Sequence, residues 1–246
     1  MSDERLSAEM AELEAIERDW STVAIVIGVL VISNVMTNRV LPGWAYVVWN
    51  VSVAAALTVV ARRVDRVSWR DLGLDRRDLR SGLRWGSLCV VAIAAIYGIG
   101  LAIPSTRHLF EDSRASGDGW STLYRSAVAV PFGTVLLEEV AFRGVLPAVF
   151  GHRVSRRGAI AWSSVLFGIW HVLPSWNLNR ANPVTRDFLG GSVGRAIAVG
   201  GSVVATAVVG VLFCWLRDRS RSLLAPVMLH VSINSLAYLG AWLVLR

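Results

Sequence analysis

Two adjacent glutamates and an arginine occupy a stretch that is otherwise typical of an apolar helix, LLEEVAFRG at 136–144. Glu139 and Arg143 are four residues apart, so in a helix they share a face and can form an ion pair. Glu138 points about 100° away from Glu139, which leaves it free for chemistry. A carboxylate in that position can act as a general base that activates water.

Two histidines lie in other apolar segments. His171 follows Phe167 by one helical turn in FGIWH, so this ring would line the same face, and His230 precedes Asn234 by one turn in HVSIN. An imidazole and a carboxamide on one face can both donate hydrogen bonds to an oxyanion. An ionisable group at the centre of a membrane helix costs about 2.5–3.5 kcal/mol on insertion scales. We therefore expect these polar groups to share one site.

The elements that carry these residues are predicted to cross a membrane. The chain has 246 residues, of which 54% are hydrophobic, and a mean hydropathy of +0.51, which is more apolar than a soluble domain. The predicted fold class is an all-α polytopic membrane helix bundle with about seven transmembrane helices. A span needs about 20 mostly apolar residues, and the candidates are Ser21–Thr37, Trp44–Ala61, Gly82–Ile103, Leu123–Val149, Gly158–Leu173, Ala196–Leu216 and Leu223–Leu245.

The distribution of arginine predicts the orientation of the bundle. The chain has no lysine, and 16 of its 25 arginines fall in the N-terminus, 62–84, 150–157 and 217–222, whereas the opposite loops and the C-terminus hold 7. This pattern obeys the positive-inside rule with a cytoplasmic N-terminus. The net charge of +7 then reflects topology and attraction to anionic lipid, so the lipid bilayer is an expected partner and nucleic acid is not.

The sequence also predicts how the chain is organised. Residues 1–20 are predicted to form a cytoplasmic amphipathic segment, and 21–246 a membrane domain whose motif-bearing core is about 120–240. The segment 62–84 combines apolar residues with eight arginines and is predicted to anchor among lipid head groups. At about 1.5 Å per residue, the polar side chains reach similar mid-membrane depths, and these depths favour a cavity that opens to the cytoplasm. Asn34 and Asn50 are expected to bond between helices, and the interfacial tryptophans to act as anchors.

Three motifs carry a resemblance to a known family. EEVAFR at 138–143 follows the pattern EExxxR, FGIWH at 167–171 follows FxxxH, and HVSIN at 230–234 follows HxxxN. In this order they resemble the CPBP family of intramembrane peptidases, named for CAAX proteases and bacteriocin-processing enzymes and related to the type II CAAX prenyl endopeptidases. The resemblance covers about residues 120–240, and WRDLGL at 69–74 is similar to an element that the family has between spans.

The resemblance implies an endopeptidase that hydrolyses a peptide bond within the membrane. It implies that Glu138, with His171, activates a water molecule, and that His230 and Asn234 stabilise the oxyanion. Supporting roles fall to Glu139, Arg143 and Phe167. The implied partner is a peptide or membrane-protein substrate, and the arginine-only basic usage favours an integral protein of a bacterial plasma membrane. A leader peptide, a bacteriocin or a signalling peptide fits that setting better than a prenylated tail.

Three alternatives follow from the same residues. Glu138, His171 and His230 are candidate zinc ligands, although no compact zinc motif such as HExxH is present; we favour a metal-free mechanism because asparagine is an unusual zinc ligand. A non-catalytic membrane partner or regulator, for example of a sensor kinase or an immunity target, is the second alternative. A proton-coupled transporter is the third, but neither inverted repeats nor broken helices are recognisable in the sequence.

Overall fold

The computed structural model describes residues 19–115, 117–180 and 187–246. The predicted amphipathic segment at 1–20 lies almost entirely outside the described residues. The division of the chain at residue 20 therefore stays a prediction.

Seven long helices run through the described residues, and their ends agree with the predicted spans to within two turns. They are α1 (Ser21–Val40), α2 (Gly43–Arg63), α3 (Arg76–Ala102), α4 (119–151), α5 (Arg156–Trp170), α6 (Gly191–Ser220) and α7 (Leu224–Val244). Short 3₁₀ helices lie in the connections, at Pro104–Phe110, Ser113–Ala115 and Leu178–Arg180. The predicted helical membrane bundle is confirmed.

Five of these helices, namely α1, α2, α3, α6 and α7, are long and apolar enough to cross a membrane. The other two differ from them: α4 carries Arg125, Glu138, Glu139 and Arg143, and α5 has only 15 residues. Seven membrane-spanning helices therefore stay a prediction, with five supported by length and composition.

Helix α4 is the central helix of the bundle, since every residue from Leu137 to Phe150 is buried. It is not a regular α-helix: π-helical stretches cover Arg125–Val135 and Val140–Val145. Pro131 lies in the first stretch and has no N–H, so in the π-helical pattern the carbonyl of Ser126 loses its partner. The hydroxyl of Ser235 on α7 donates to that carbonyl at 2.7 Å, which satisfies a backbone group that lipid cannot.

The arginine-rich end of the bundle is closed by the connection between α2 and α3. Leu72 in that connection is 1% exposed, and the carbonyl of Gly73 accepts a hydrogen bond from the backbone N–H of Leu223 at 2.9 Å. The prediction that the apolar side of this segment dips among lipid head groups is wrong for Leu72, which is buried in the protein. Trp69 and Leu74 do remain exposed, so the segment both seals the protein and presents an apolar edge.

A buried charge cluster joins this connection to the end of α4. The carboxylate of Asp65 accepts hydrogen bonds from Arg153 at 2.6 Å and His152 at 2.9 Å. Burial raises the pKa of Asp65, but the hydrogen bonds from His152 and Arg153 outweigh burial and bring the pKa to about 2. The bond to Asp65 in turn raises the pKa of His152.

Candidate active site

Glu138 lies at the inner end of a cavity, and its two carboxylate oxygens have different environments. The side chain is buried, with 5% of its surface exposed. Oε1 accepts a hydrogen bond from the indole N–H of Trp170 at 2.9 Å. Oε2 has no hydrogen-bond partner among the described residues and lies 3.8 Å from Nε2 of His230. One oxygen is therefore fixed and the other faces an imidazole.

Glu139 and Arg143 form the ion pair that their spacing predicts, with Arg143 Nη1 3.2 Å from Glu139 Oε1. Both side chains are fully buried. The guanidinium lies over the ring of Phe167 at 3.9 Å and the ring of Phe213 at 4.8 Å, so cation–π contacts replace part of its lost hydration. The same Oε1 of Glu139 is 2.7 Å from Nδ1 of His230.

His230 is therefore held between the two glutamates by its two ring nitrogens. Because a carboxylate can only accept, Nδ1 of His230 carries the proton in its bond to Glu139. The other nitrogen, Nε2, is then directed toward Glu138. The sequence placed Glu138 and Glu139 on different faces of one helix, and the structure brings both to one imidazole.

His171 ends α5 and lines the cavity together with Phe167. Its Nδ1 bonds to the carbonyl of Phe167 at 2.8 Å, and the two rings meet edge to face with centroids 4.6 Å apart. A carbonyl only accepts, so Nδ1 carries the proton in this bond as well. Asn234 lines the same cavity, and its side chain makes no hydrogen bond to any of the described residues.

The cavity has a volume of about 990 Å³ and is walled by every long helix except α3. Glu138 and His230 lie at one end of it, whereas Asn38, Asp112 and Ser121 line the other end, beside the α1–α2 turn and the 103–118 connection. The expectation that the cavity opens at the arginine-rich end of the bundle is wrong. Depth along each helix did not reveal that Leu72 and other buried side chains fill that end.

One contributor to the site, Trp170, is not apparent from the motifs. Trp170 is 8% exposed and donates to Glu138. Its backbone carbonyl accepts a hydrogen bond from Asn34 of α1 at 2.9 Å, and Asn50 of α2 donates to the carbonyl of Gly133 at 2.7 Å. The predicted interhelical roles of Asn34 and Asn50 are confirmed. The signal for Trp170 was its position directly before His171.

The side chains that the structure describes do not form a ready metal site. No group of three or more His, Cys, Asp or Glu residues within the described parts of the chain is arranged to hold a metal ion. Nδ1 of His230 is bonded to Glu139 and Nδ1 of His171 to a carbonyl. The candidate zinc ligands Glu138, His171 and His230 thus do not converge as a set in this arrangement.

The fold and the site define a polytopic helical membrane protein with a buried carboxylate–imidazole centre at the end of a cavity. Residues 119–236 match the family model described as type II CAAX prenyl endopeptidase Rce1-like. The matched segment runs from the start of α4 into α7 and contains all seven residues of the predicted site. The match confirms the resemblance to the CPBP intramembrane peptidases and supports a protease of the CAAX endopeptidase family. Neither the curated proteins nor the solved structures gave a significant match.

Proposed function

We propose that this protein is an intramembrane endopeptidase in which Glu138 activates the water that attacks a peptide carbonyl. The observation that carries the proposal is the asymmetry of this carboxylate. One oxygen is fixed by Trp170, and the other makes no hydrogen bond to the described residues and lies 3.8 Å from Nε2 of His230, in a side chain that lines the cavity. A water molecule bonded to the free oxygen can pass it a proton as the water oxygen adds to the carbonyl carbon.

The surrounding polar groups suit the later part of the reaction. As the carbonyl carbon becomes tetrahedral, negative charge develops on its oxygen, and His230 and Asn234 line the cavity where that oxygen would lie, whereas His171, which also lines the cavity, acts with Glu138 on the water. Glu138 can then return the proton to the leaving amine. In this scheme Asn234 donates through its amide, and His230 donates through Nε2 when its ring carries both protons.

Glu139 and Arg143 support this centre by charge. With His230 as an imidazolium, the two glutamates are balanced by Arg143 and His230, which leaves the buried cluster neutral overall. Glu139 also fixes the orientation of the His230 ring through the 2.7 Å contact. A carboxylate that orients an imidazole in this manner determines which nitrogen faces the substrate.

The test compares cleavage by the purified full chain in phosphatidylglycerol–phosphatidylcholine vesicles, with an internally quenched peptide library as the probe. Glu138→Gln removes the base but keeps the shape of the side chain, and we expect it to lower the rate at least a hundredfold, which is the low end for the contribution of a general base. Asp218→Asn is the matched control, because it makes the same chemical change at the arginine-rich end. Cleavage by Glu138→Gln at the wild-type rate would refute the proposal.

A chelator provides the second arm of this experiment. Cleavage that is lost in the chelator and restored by zinc would assign the reaction to the zinc-dependent alternative instead. His171→Ala and His230→Ala would then also lose bound zinc, which metal analysis of the purified variants measures. The non-catalytic alternative is supported if no peptide in the library is cleaved by the wild type under any of these conditions.

A further inference from the structure

The two ends of the bundle differ in access to the site. The residues that line the cavity furthest from Glu138 belong to the α1–α2 turn, the 103–118 connection and the first turns of α4, and include Thr37, Asn38 and Ser121. None of the residues in 62–84, 144–157 or 217–222, all of which are described, lines the cavity. The site is thus reached from the end of the bundle that carries the 103–118 connection.

The opposite end is filled by packed side chains. Leu146 and Val149 of α4 are fully buried, and Leu72 and Leu223 are 1% and 3% exposed. A Cβ atom added to Gly144 would lie 3.2 Å from the carbonyl of Leu72, so the α2–α3 connection lies directly against α4 there. No space remains for a peptide to reach Glu138 from that side.

The charge of the connections indicates which end faces the cytoplasm. The filled end carries the arginine-rich segments 62–84, 150–157 and 217–222, whereas the connections at the cavity end carry few arginines. Basic residues in short loops mark the cytoplasmic side of a membrane protein. The filled end is therefore the cytoplasmic end by this rule.

We propose that the cavity opens to the extracytoplasmic side, and that the substrate is an exported or membrane-anchored peptide whose scissile segment enters from that side. This inference rests on the proposed peptidase function. Ser121 lies 17 residues before Glu138 on α4, which corresponds to at most roughly 25 Å along the axis, because part of this stretch is π-helical. An extended peptide of about seven residues spans that distance.

The walls of the cavity indicate the composition of the peptide. Hydroxyl and charged side chains, among them Ser121 and Arg125, line the open end, whereas Leu137, Val209 and Ile233 line the part near the glutamates. Apolar side chains in that inner part favour apolar residues beside the scissile bond. The expected substrate is thus a peptide with a polar stretch at the outer surface and apolar residues at the cleavage point.

Access can be tested by cysteine labelling in intact cells of a bacterial expression host with a membrane-impermeant maleimide. The parent variant replaces Cys89 and Cys214 by alanine. Single cysteines are then placed at the open end (Ser121→Cys), inside the cavity (Ala237→Cys) and at the arginine-rich end as the matched control (Ser68→Cys). We expect labelling of the first two in intact cells, and labelling of the third only after permeabilisation.

Each other pattern overturns the inference. Labelling of Ser68→Cys in intact cells, alone or together with Ser121→Cys, means that the orientation is inverted or mixed. Labelling of Ser121→Cys but not Ala237→Cys means that the cavity is not reached from outside. The labelling does not depend on catalysis, so a failure of the peptidase proposal leaves this result readable. A cleavage assay then tests both proposals together: right-side-out vesicles should cleave an added membrane-impermeant library peptide, and sealed inside-out vesicles should not.

Discussion

The indole of Trp170 is the contact through which the position of the proposed base can be perturbed most cleanly. Trp170→Phe removes the N–H that donates to Glu138 Oε1 at 2.9 Å but keeps an aromatic ring to pack against Phe142, whose ring centroid is 5.6 Å away. The carboxylate then has two oxygens without a fixed partner and can rotate about its last torsion. We expect the proposed base to lose its alignment with the water that it activates.

The magnitude follows from the charge of the acceptor. A hydrogen bond to a charged group contributes about 1.5–3 kcal/mol, and each 1.36 kcal/mol in the barrier changes the rate tenfold. We therefore expect kcat to fall between about tenfold and about a hundredfold. KM should change little, because the aromatic wall remains in place. Asn34→Ala removes the neutral hydrogen bond to the carbonyl of Trp170 and should lower kcat less, by about two- to tenfold.

The assay is cleavage of a library peptide by purified protein in vesicles, with kcat and KM determined separately and the melting temperature of each variant measured alongside. Trp162→Phe is the matched control, because Trp162 lies on the same helix, α5, and is 54% exposed. A Trp170→Phe variant that has the kcat of Trp162→Phe would refute the positioning role of the indole. A fall in kcat that tracks a loss of folded protein, rather than the removal of the donor, would refute it as well.

Two further predictions concern the stability of the arginine-rich end. Gly73 has a φ of +75°, and a Cβ atom added there would lie 3.0 Å from a backbone nitrogen. We therefore expect Gly73→Ala to lower the melting temperature by about 2–8 °C. The control is Gly98→Ala on α3, where an added Cβ meets open space, and it should leave the melting temperature unchanged or raise it. The pKa of Asp65 is lowered to about 2 in the folded protein from about 3.9 in the unfolded chain, so its contribution to stability is complete above about pH 3.9 and is lost as the pH falls toward 2. The pKa of His152 is raised in the folded protein, so its contribution to stability is complete below the unfolded pKa of about 6.5 and is lost at higher pH. The difference in melting temperature between wild type and His152→Gln should therefore be largest between about pH 4 and 6.5, and a difference that is constant from pH 3 to 9 would contradict the assigned contact.

Spacing within one helix was enough to predict some of the site. The Glu139–Arg143 ion pair follows from a separation of four residues, and the three motifs identified the helices that carry polar groups. Spacing does not determine how helices are rotated against one another. The π-helical stretches in α4 change its rotation and rise along the axis, so helical spacing predicted a shared site but not that both glutamates contact His230. The same limitation applied to the cavity, because one of the residues that fill its closed end, Leu72, comes from a connection that the sequence pattern assigned to the lipid surface.

The first two helices explain why the site needs more of the chain than the matched segment 119–236. Asn34 holds the end of α5 through the carbonyl of Trp170, and Asn50 holds α4 through the carbonyl of Gly133. In each bond an asparagine amide donates to a backbone carbonyl. The carbonyl on α4 lies where that helix departs from regular geometry, and the carbonyl on α5 lies where that helix ends. Such carbonyls have no alternative partner in lipid. The motifs therefore provide the proposed reacting groups, while α1 and α2 fix the two helices whose relative position determines the contact between Trp170 and Glu138.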